Sequence, residues 1–265
     1  MIALGFLGRA ALAAVLVSLT LSLLSGFVVL KRLAFAGSGI AHAAFGGVAL
    51  ALLLGLPPAP VAVVFSLALA WMVSQLSRRG RLPEDSAIGI FFAASMALGV
   101  VLLSLQPRYN IDLFSLLFGN LLAVTPADLW LMAGLSAVVA VVLGRYFWEL
   151  VSVSFDEDLA SVSGLPVQGL NLALMVLLAL AVILSMKSVG LILVSALLVL
   201  PGATALELAG SLRGFVALSV LFGLLASGAG LAASYALNLA SGAAIVLCGT
   251  LIFAGVHLLR RARRR

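Results

Sequence analysis

Charge is what this sequence has least of. Its 265 residues carry 15 Lys and Arg and 9 Asp and Glu, or 9% charged, with two histidines and one cysteine. A soluble domain carries about 25% charged residues, so a chain this poor in charge cannot clothe its surface for water. No histidine has a carboxylate near it in sequence, and no phosphate-binding loop is present. This excludes the common catalytic constellations and leaves a conduit rather than an enzyme. Cys248 stands alone inside an apolar run, where packing explains it, and can form no internal disulfide. The net charge of +6 does not imply nucleic acid, because the bases form no stripe with interleaved aromatics.

What is present is apolar. Hydrophobic residues make up 64% of the chain and mean hydropathy is +1.31. A membrane helix needs roughly 20 apolar residues. Nine runs qualify: Leu12–Leu30, Ala34–Leu54, Val61–Leu76, Ile88–Leu105, Leu129–Phe147, Leu170–Met186, Val189–Leu208, Phe215–Ala233 and Ala243–Leu259. The first run extends too far for the short apolar core of a signal peptide. A tenth stretch, Leu113–Val124, is too short to cross and fits a re-entrant or interfacial segment. The fold class is therefore an all-α integral membrane protein of about nine transmembrane helices, a single domain over residues 1–265. Nine spans leave no room for a nucleotide-driven engine, which would sit on a separate chain.

Lys and Arg set the orientation. With Arg260, Arg261, Arg263, Arg264 and Arg265 inside, alternation also places Arg213, Arg145, Arg78, Arg79, Arg81, Lys31 and Arg32 in the cytoplasm. Only Arg9, Arg108 and Lys187 fall outside. One span more or fewer would scramble this bias. The expected topology has an external N-terminus and a cytoplasmic C-terminus. Thr125-Pro126-Ala127-Asp128 offers a helix start with a cap, a proline and an acid in the expected order. Pro83-Glu84-Asp85 opens the fourth span similarly.

The longest cytoplasmic connection, Glu149–Gly169, contains Ser154-Phe155-Asp156-Glu157, which reads as a capping box opening a short helix through Val162. Gly164 and Pro166 stop it. Such a helix either docks a partner or lies on the lipid headgroups. Gly37-Ser38-Gly39 and Gly46-Gly47 in the second span, and Pro201-Gly202 in the seventh, mark either interrupted helices along a substrate path or close helix packing.

His42 stands mid-way along the second span, with Ser38 one turn earlier on the same face. An ionisable group there faces a cavity or a hydrogen-bonding neighbour, and neutral imidazole is a good ligand for zinc and other transition metals. His257 precedes the arginine tail and reads as interfacial. Glu207 reads as solvated or arginine-paired. Asp112 and Asn110 sit at the outer mouth, where they serve either loop and capping roles or cation attraction.

Five stretches together resemble the zinc/manganese permease subunits of ABC importers. They are Leu33–Ala49 with Gly37-Ser38-Gly39-Ile40-Ala41-His42, Asp85–Ile90, Asp112–Gly119, Ser154–Ala160 and Val194–Ala205. They occur in the family's order. The resemblance implies a homodimeric permease in the cell membrane, with the fold of the cobalamin importer's membrane subunit. It also implies a cytoplasmic ATPase subunit, an extracytoplasmic metal-binding protein and no permanently bound cofactor. The transported metal would be zinc or manganese. The family's docking region falls on Phe155, Asp156, Glu157, Asp158, Leu159 and Gly164, and its metal-path histidine on His42. The family often has aspartate four residues before that histidine; here Ser38 stands there, which tilts the expected cargo toward zinc. The alternative class is a secondary transporter driven by an ion gradient without an ATPase. The lack of mid-span carboxylates counts against it.

Overall fold

The computed structural model describes residues 5–77, 82–105, 124–237 and 239–263. Among them the chain forms twelve helices and no strand. These are α1 (Phe6–Leu30), α2 (Ala36–Leu53), α3 (Pro58–Ser77), α4 (Glu84–Ser104), α5 (Pro126–Arg145), α6 (Phe147–Phe155), α7 (Glu157–Val162), α8 (Val167–Val189), α9 (Leu191–Leu197), α10 (Leu200–Leu208), α11 (Leu212–Leu237) and α12 (Ser241–Arg263). Among the described residues, nine stretches are long and apolar enough to cross a bilayer, with α9 and α10 together making one. Each lies on one of the nine runs expected from hydropathy. Asp112, Asn110, Arg108, Arg78, Arg79 and Arg81 lie outside the described residues, as does the Leu113–Val124 stretch apart from Val124.

α1 is the centre of the bundle and packs against α5, α8, α10 and α11. It holds them with hydroxyls rather than charge. Ser18 hydrogen-bonds Ser227 of α11, Thr20 hydrogen-bonds Ser136 of α5, and the Gly202 N–H of α10 donates to Ser25 Oγ at 2.9 Å. Lipid is as apolar as leucine, so helix association needs such bonds and close contact. Outward-facing side chains stay apolar: Trp130, Val141 and Leu251 are among the most exposed.

The second span is one continuous helix, so its glycines do not interrupt it. They let α2 lie directly on α3 and α4. A β-carbon at Gly46 would sit 2.8 Å from the Ser95 carbonyl oxygen of α4, which is backbone and cannot yield. The seventh span is broken, and earlier than Pro201-Gly202. α9 ends at Leu197 and α10 resumes at Leu200. The proline ring collides with the carbonyl four residues back, so the disruption falls upstream, while Pro201 itself fits in the first turn of α10.

Thr125 caps α5 as expected, and Asp128 makes the cap reciprocal. The expected box at Ser154 does not form. Ser154 lies inside α6 and donates to the Leu150 carbonyl. α6 buries Leu150, Val151 and Val153, and that burial keeps the chain helical past Ser154. The cap of α7 passes to Asp156, whose Oδ1 accepts from the Leu159 N–H at 2.9 Å. The stop is as expected: Gly164 adopts φ 82, the Leu165 N–H donates to the Ala160 carbonyl, and the Gly164 N–H donates to that of Ser161. This is a Schellman closure. α1 ends with the same two bonds, from Leu33 to Val28 and from Arg32 to Val29, but with arginine at φ 58 where glycine is usual.

Candidate functional site

His42 sits two turns into α2 and is half-buried. Its Nδ1 lies 2.7 Å from the Ser38 carbonyl oxygen and 3.3 Å from Ser38 Oγ. A carbonyl only accepts, so Nδ1 carries the proton and Nε2 keeps its lone pair. Phe92 of α4 meets the ring edge-to-face at 5.1 Å and in turn stacks edge-to-face on Phe35 at 5.7 Å. The imidazole is thus oriented by one backbone bond and one aromatic wall. Among the described residues no group of three or more His, Cys, Asp or Glu is placed to hold a metal. Ser38 shares the face of His42, as its spacing implied, but is tied to Nδ1 rather than beside Nε2.

The residues singled out on the connection form a surface. α7 packs on α6 and α8 through the buried Ala160. The outer side of this connection shows Phe155 at the end of α6 and Leu159 and Val162 of α7, which are 67%, 65% and 88% exposed. Asp156 and Asp158 flank them, also exposed. Three large apolar side chains thus stand in the open on a polar connection.

Glu157, in the first turn of α7, turns the other way. Lys31, which caps the end of α1, donates to Glu157 Oε1 at 2.9 Å and to Asn171 Oδ1 of α8 at 2.8 Å. The same ammonium lies 3.4 Å from Glu84 Oε2 at the start of α4, and its side chain is only 5% exposed. Asn171 Nδ2 closes the triangle by donating to Glu157 Oε1 at 2.9 Å. Burial works against the charged form of Glu157, but hydrogen bonds from Lys31 and Asn171 and the Lys31 charge outweigh it. They hold the carboxyl below the usual range. A cavity of about 690 Å³ opens beside this cluster, lined by Ser74, Ser77, Asp85 and Gln168 among others. Sequence reasoning missed the cluster, because its members lie up to 140 residues apart and each is ordinary alone.

Other contacts bring the expected cytoplasmic ends to one side. Arg213 stacks over Trp148 at 5.5 Å, and Arg260 Nη1 donates to Glu207 Oε2 at 2.5 Å. His257 Nδ1 lies 3.1 Å from Glu207 Oε1, so Glu207 is arginine-paired, as its position suggested, and His257 joins it. Cys248 is a free thiol on α12.

The profile of the ABC 3 transport family matches residues 3–260. The chain is 36% identical to the manganese transport system membrane protein MntC of Halalkalibacterium halodurans, covering 94% of this chain and 85% of that one. It is 32% identical to the high-affinity zinc uptake system membrane protein ZnuB of Haemophilus influenzae, covering 96% and 97%. Among solved structures it resembles PsaBC from Streptococcus pneumoniae in complex with Fab. There the TM-score is 0.81 at 37% identity, over 95% of this chain and 91% of that one.

Proposed function

The chain belongs to the ABC 3 transport family, and from that premise we propose that it is the membrane-spanning subunit of an ATP-driven importer of zinc or manganese. The observation that carries the reading is the mid-span imidazole of His42, oriented by its Nδ1 bond to the Ser38 carbonyl and by the Phe92 ring of α4. A conduit has to release what it binds. A single oriented imidazole, in no cluster of three or more metal-binding side chains among the described residues, suits transient contact with a passing cation. The relatives named for manganese and for zinc transport differ too little in identity to decide the metal. Donor chemistry leans to zinc, since the pair here is neutral and manganese prefers carboxylate oxygen.

The rest of the machine follows as part of the same proposal. ATP hydrolysis belongs to a separate cytoplasmic subunit, which docks on Phe155, Leu159 and the acids Asp156 and Asp158, with Gly164 closing the helix and Glu157 turned inward to Lys31. An extracytoplasmic binding protein delivers the metal. The permease works as a homodimer in the cell membrane with its C-terminus inside, and no cofactor stays bound.

Metal uptake by proteoliposomes containing the permease and its ATPase tests this. His42→Ala should cut zinc or manganese uptake by about tenfold or more, the loss expected when a transition-metal ligand disappears from a site with few donors. Expression and basal hydrolysis should stay near wild type. His42→Gln keeps a hydrogen-bonding group but ligates metal poorly. Normal transport by the glutamine variant would make the histidine structural and sink the metal-path assignment.

A further inference from the structure

Four elements converge on the Lys31 ammonium. It terminates α1, and it touches the docking helix α7 through Glu157, α8 through Asn171 and α4 through Glu84. α2 is tied in by the chain that follows Lys31 rather than by the ammonium. Four residues after Lys31, the Phe35 N–H donates to Asp85 Oδ1 at 3.2 Å, just before α2 begins. The first two residues of α4 therefore grip both ends of the α1–α2 link, Glu84 at Lys31 and Asp85 at Phe35. Within that link Arg32 holds a left-handed backbone, φ 58, that side chains disfavour. α4 then carries Phe92 to the ring of His42.

We infer that Lys31 is a coupling latch: a positioning residue that passes movement of the docking helix α7 into α4 and, through α4, to the helix that carries His42. The inference rests on the importer reading above. Its physical basis is one ammonium between two carboxylates. A buried ammonium left unpaired is costly. Here, if Glu157 swings away with α7, Glu84 remains to pair with Lys31. The arrangement thus has two states, with Lys31 shared by both acids or held by Glu84 alone. Both keep the charge compensated, which is what a two-position element needs. The two acids differ in setting. The Glu157 side chain is 50% exposed and rides on the short helix α7, whereas Glu84 is 13% exposed at the start of the membrane span α4. The adjoining cavity of about 690 Å³ gives the departing side chain room. Lysine suits the task, because its three N–H donors sit on a flexible stem and carry no fixed fork geometry.

The test uses the complex of permease and ATPase in proteoliposomes, with ATP hydrolysis and radioisotope metal uptake measured on the same sample. Lys31→Met should leave hydrolysis running while uptake per ATP falls about tenfold, within the range of ordinary coupling energies. Lys31→Arg keeps a cation between the acids and should restore the ratio to within about twofold of wild type. Structural damage alone would lower hydrolysis and uptake together. Should Lys31→Met fail to assemble, Glu84→Gln breaks the link to α4 without touching the exposed face of α7. It should lower the same ratio. A wild-type ratio in an assembled Lys31→Met or Glu84→Gln complex overturns the latch and leaves the importer reading intact. Wild-type complexes that hydrolyse ATP without moving metal remove the importer reading and the latch with it.

Discussion

At position 38 a hydroxyl sits 3.3 Å from the protonated nitrogen of His42. Replacing it by a carboxylate would give Nδ1–H a charged acceptor, raise the basicity of Nε2 and supply a hard oxygen near the path. Ser38→Asp should therefore bind metal more tightly and shift preference toward manganese. Competitive uptake of the two radioisotopes by wild type and variant reads this directly. An unchanged preference would mean that position 38 does not face the path. The histidine was legible in the sequence, because an ionisable side chain in an apolar run is conspicuous without any structure. Lys31 was not. It is one of many bases at a span end, and its partners Glu84, Glu157 and Asn171 meet it only when α1, α4, α7 and α8 assemble. The left-handed Arg32 was equally hidden, since the usual sign of such a helix end is glycine, as at Gly164.

Helix α7 is six residues long and too short to stand without its cap. Asp156→Ala removes the acceptor for the Leu159 N–H and should destabilise this helix by about 1 kcal/mol. Hydrogen exchange over residues 157–162 should quicken, with the membrane spans unaffected. Changing Asp156 and Asp158 together to Lys goes further and reverses the sign of the proposed docking surface, leaving the pair of Glu157 and Lys31 in place. Purified complexes should then lose ATPase association while the permease still inserts, and normal assembly in a pull-down would contradict the docking assignment. Sequence reading found this helix and its glycine stop but placed the cap two residues early. Ser154 and Asp156 both offer a capping oxygen. The choice is made by burial of Leu150, Val151 and Val153 in α6, a tertiary term that local pattern does not contain. The cap of α5 was read correctly because Thr125 and Asp128 satisfy each other locally, without help from another helix.

Across the whole molecule, three sets of contacts join the connections that charge alone assigned to one side: Lys31 with Glu84 and Glu157, Trp148 with Arg213, and Glu207 with Arg260. An extra or missing span would have separated them. The nine-span architecture was legible because run length and charge bias are properties of sequence. The order of helices around α1 was not, because it depends on hydroxyls and small residues that any membrane helix carries. A reporter active only outside the cytoplasm, fused after Arg265, should be silent; strong activity there would refute the proposed sidedness.

The central place of α1 has a consequence for biosynthesis. The apolar window of α1 is 67% buried, against 22% for that of α12, so a helix made before the other eight spans is also one of the most enclosed. Ser18 finds Ser227 only 209 residues later in the chain. At ordinary synthesis rates of 5–20 residues per second, that is a wait of about 10–40 s. Through that interval the hydroxyls that later meet α11 must face lipid, the translocation machinery or a transient neighbour. The bundle closes when its last third reaches back to its first helix. A nascent chain cut short before α11 would therefore expose a polar stripe within the bilayer, a mark by which membrane quality control could recognise an unfinished copy.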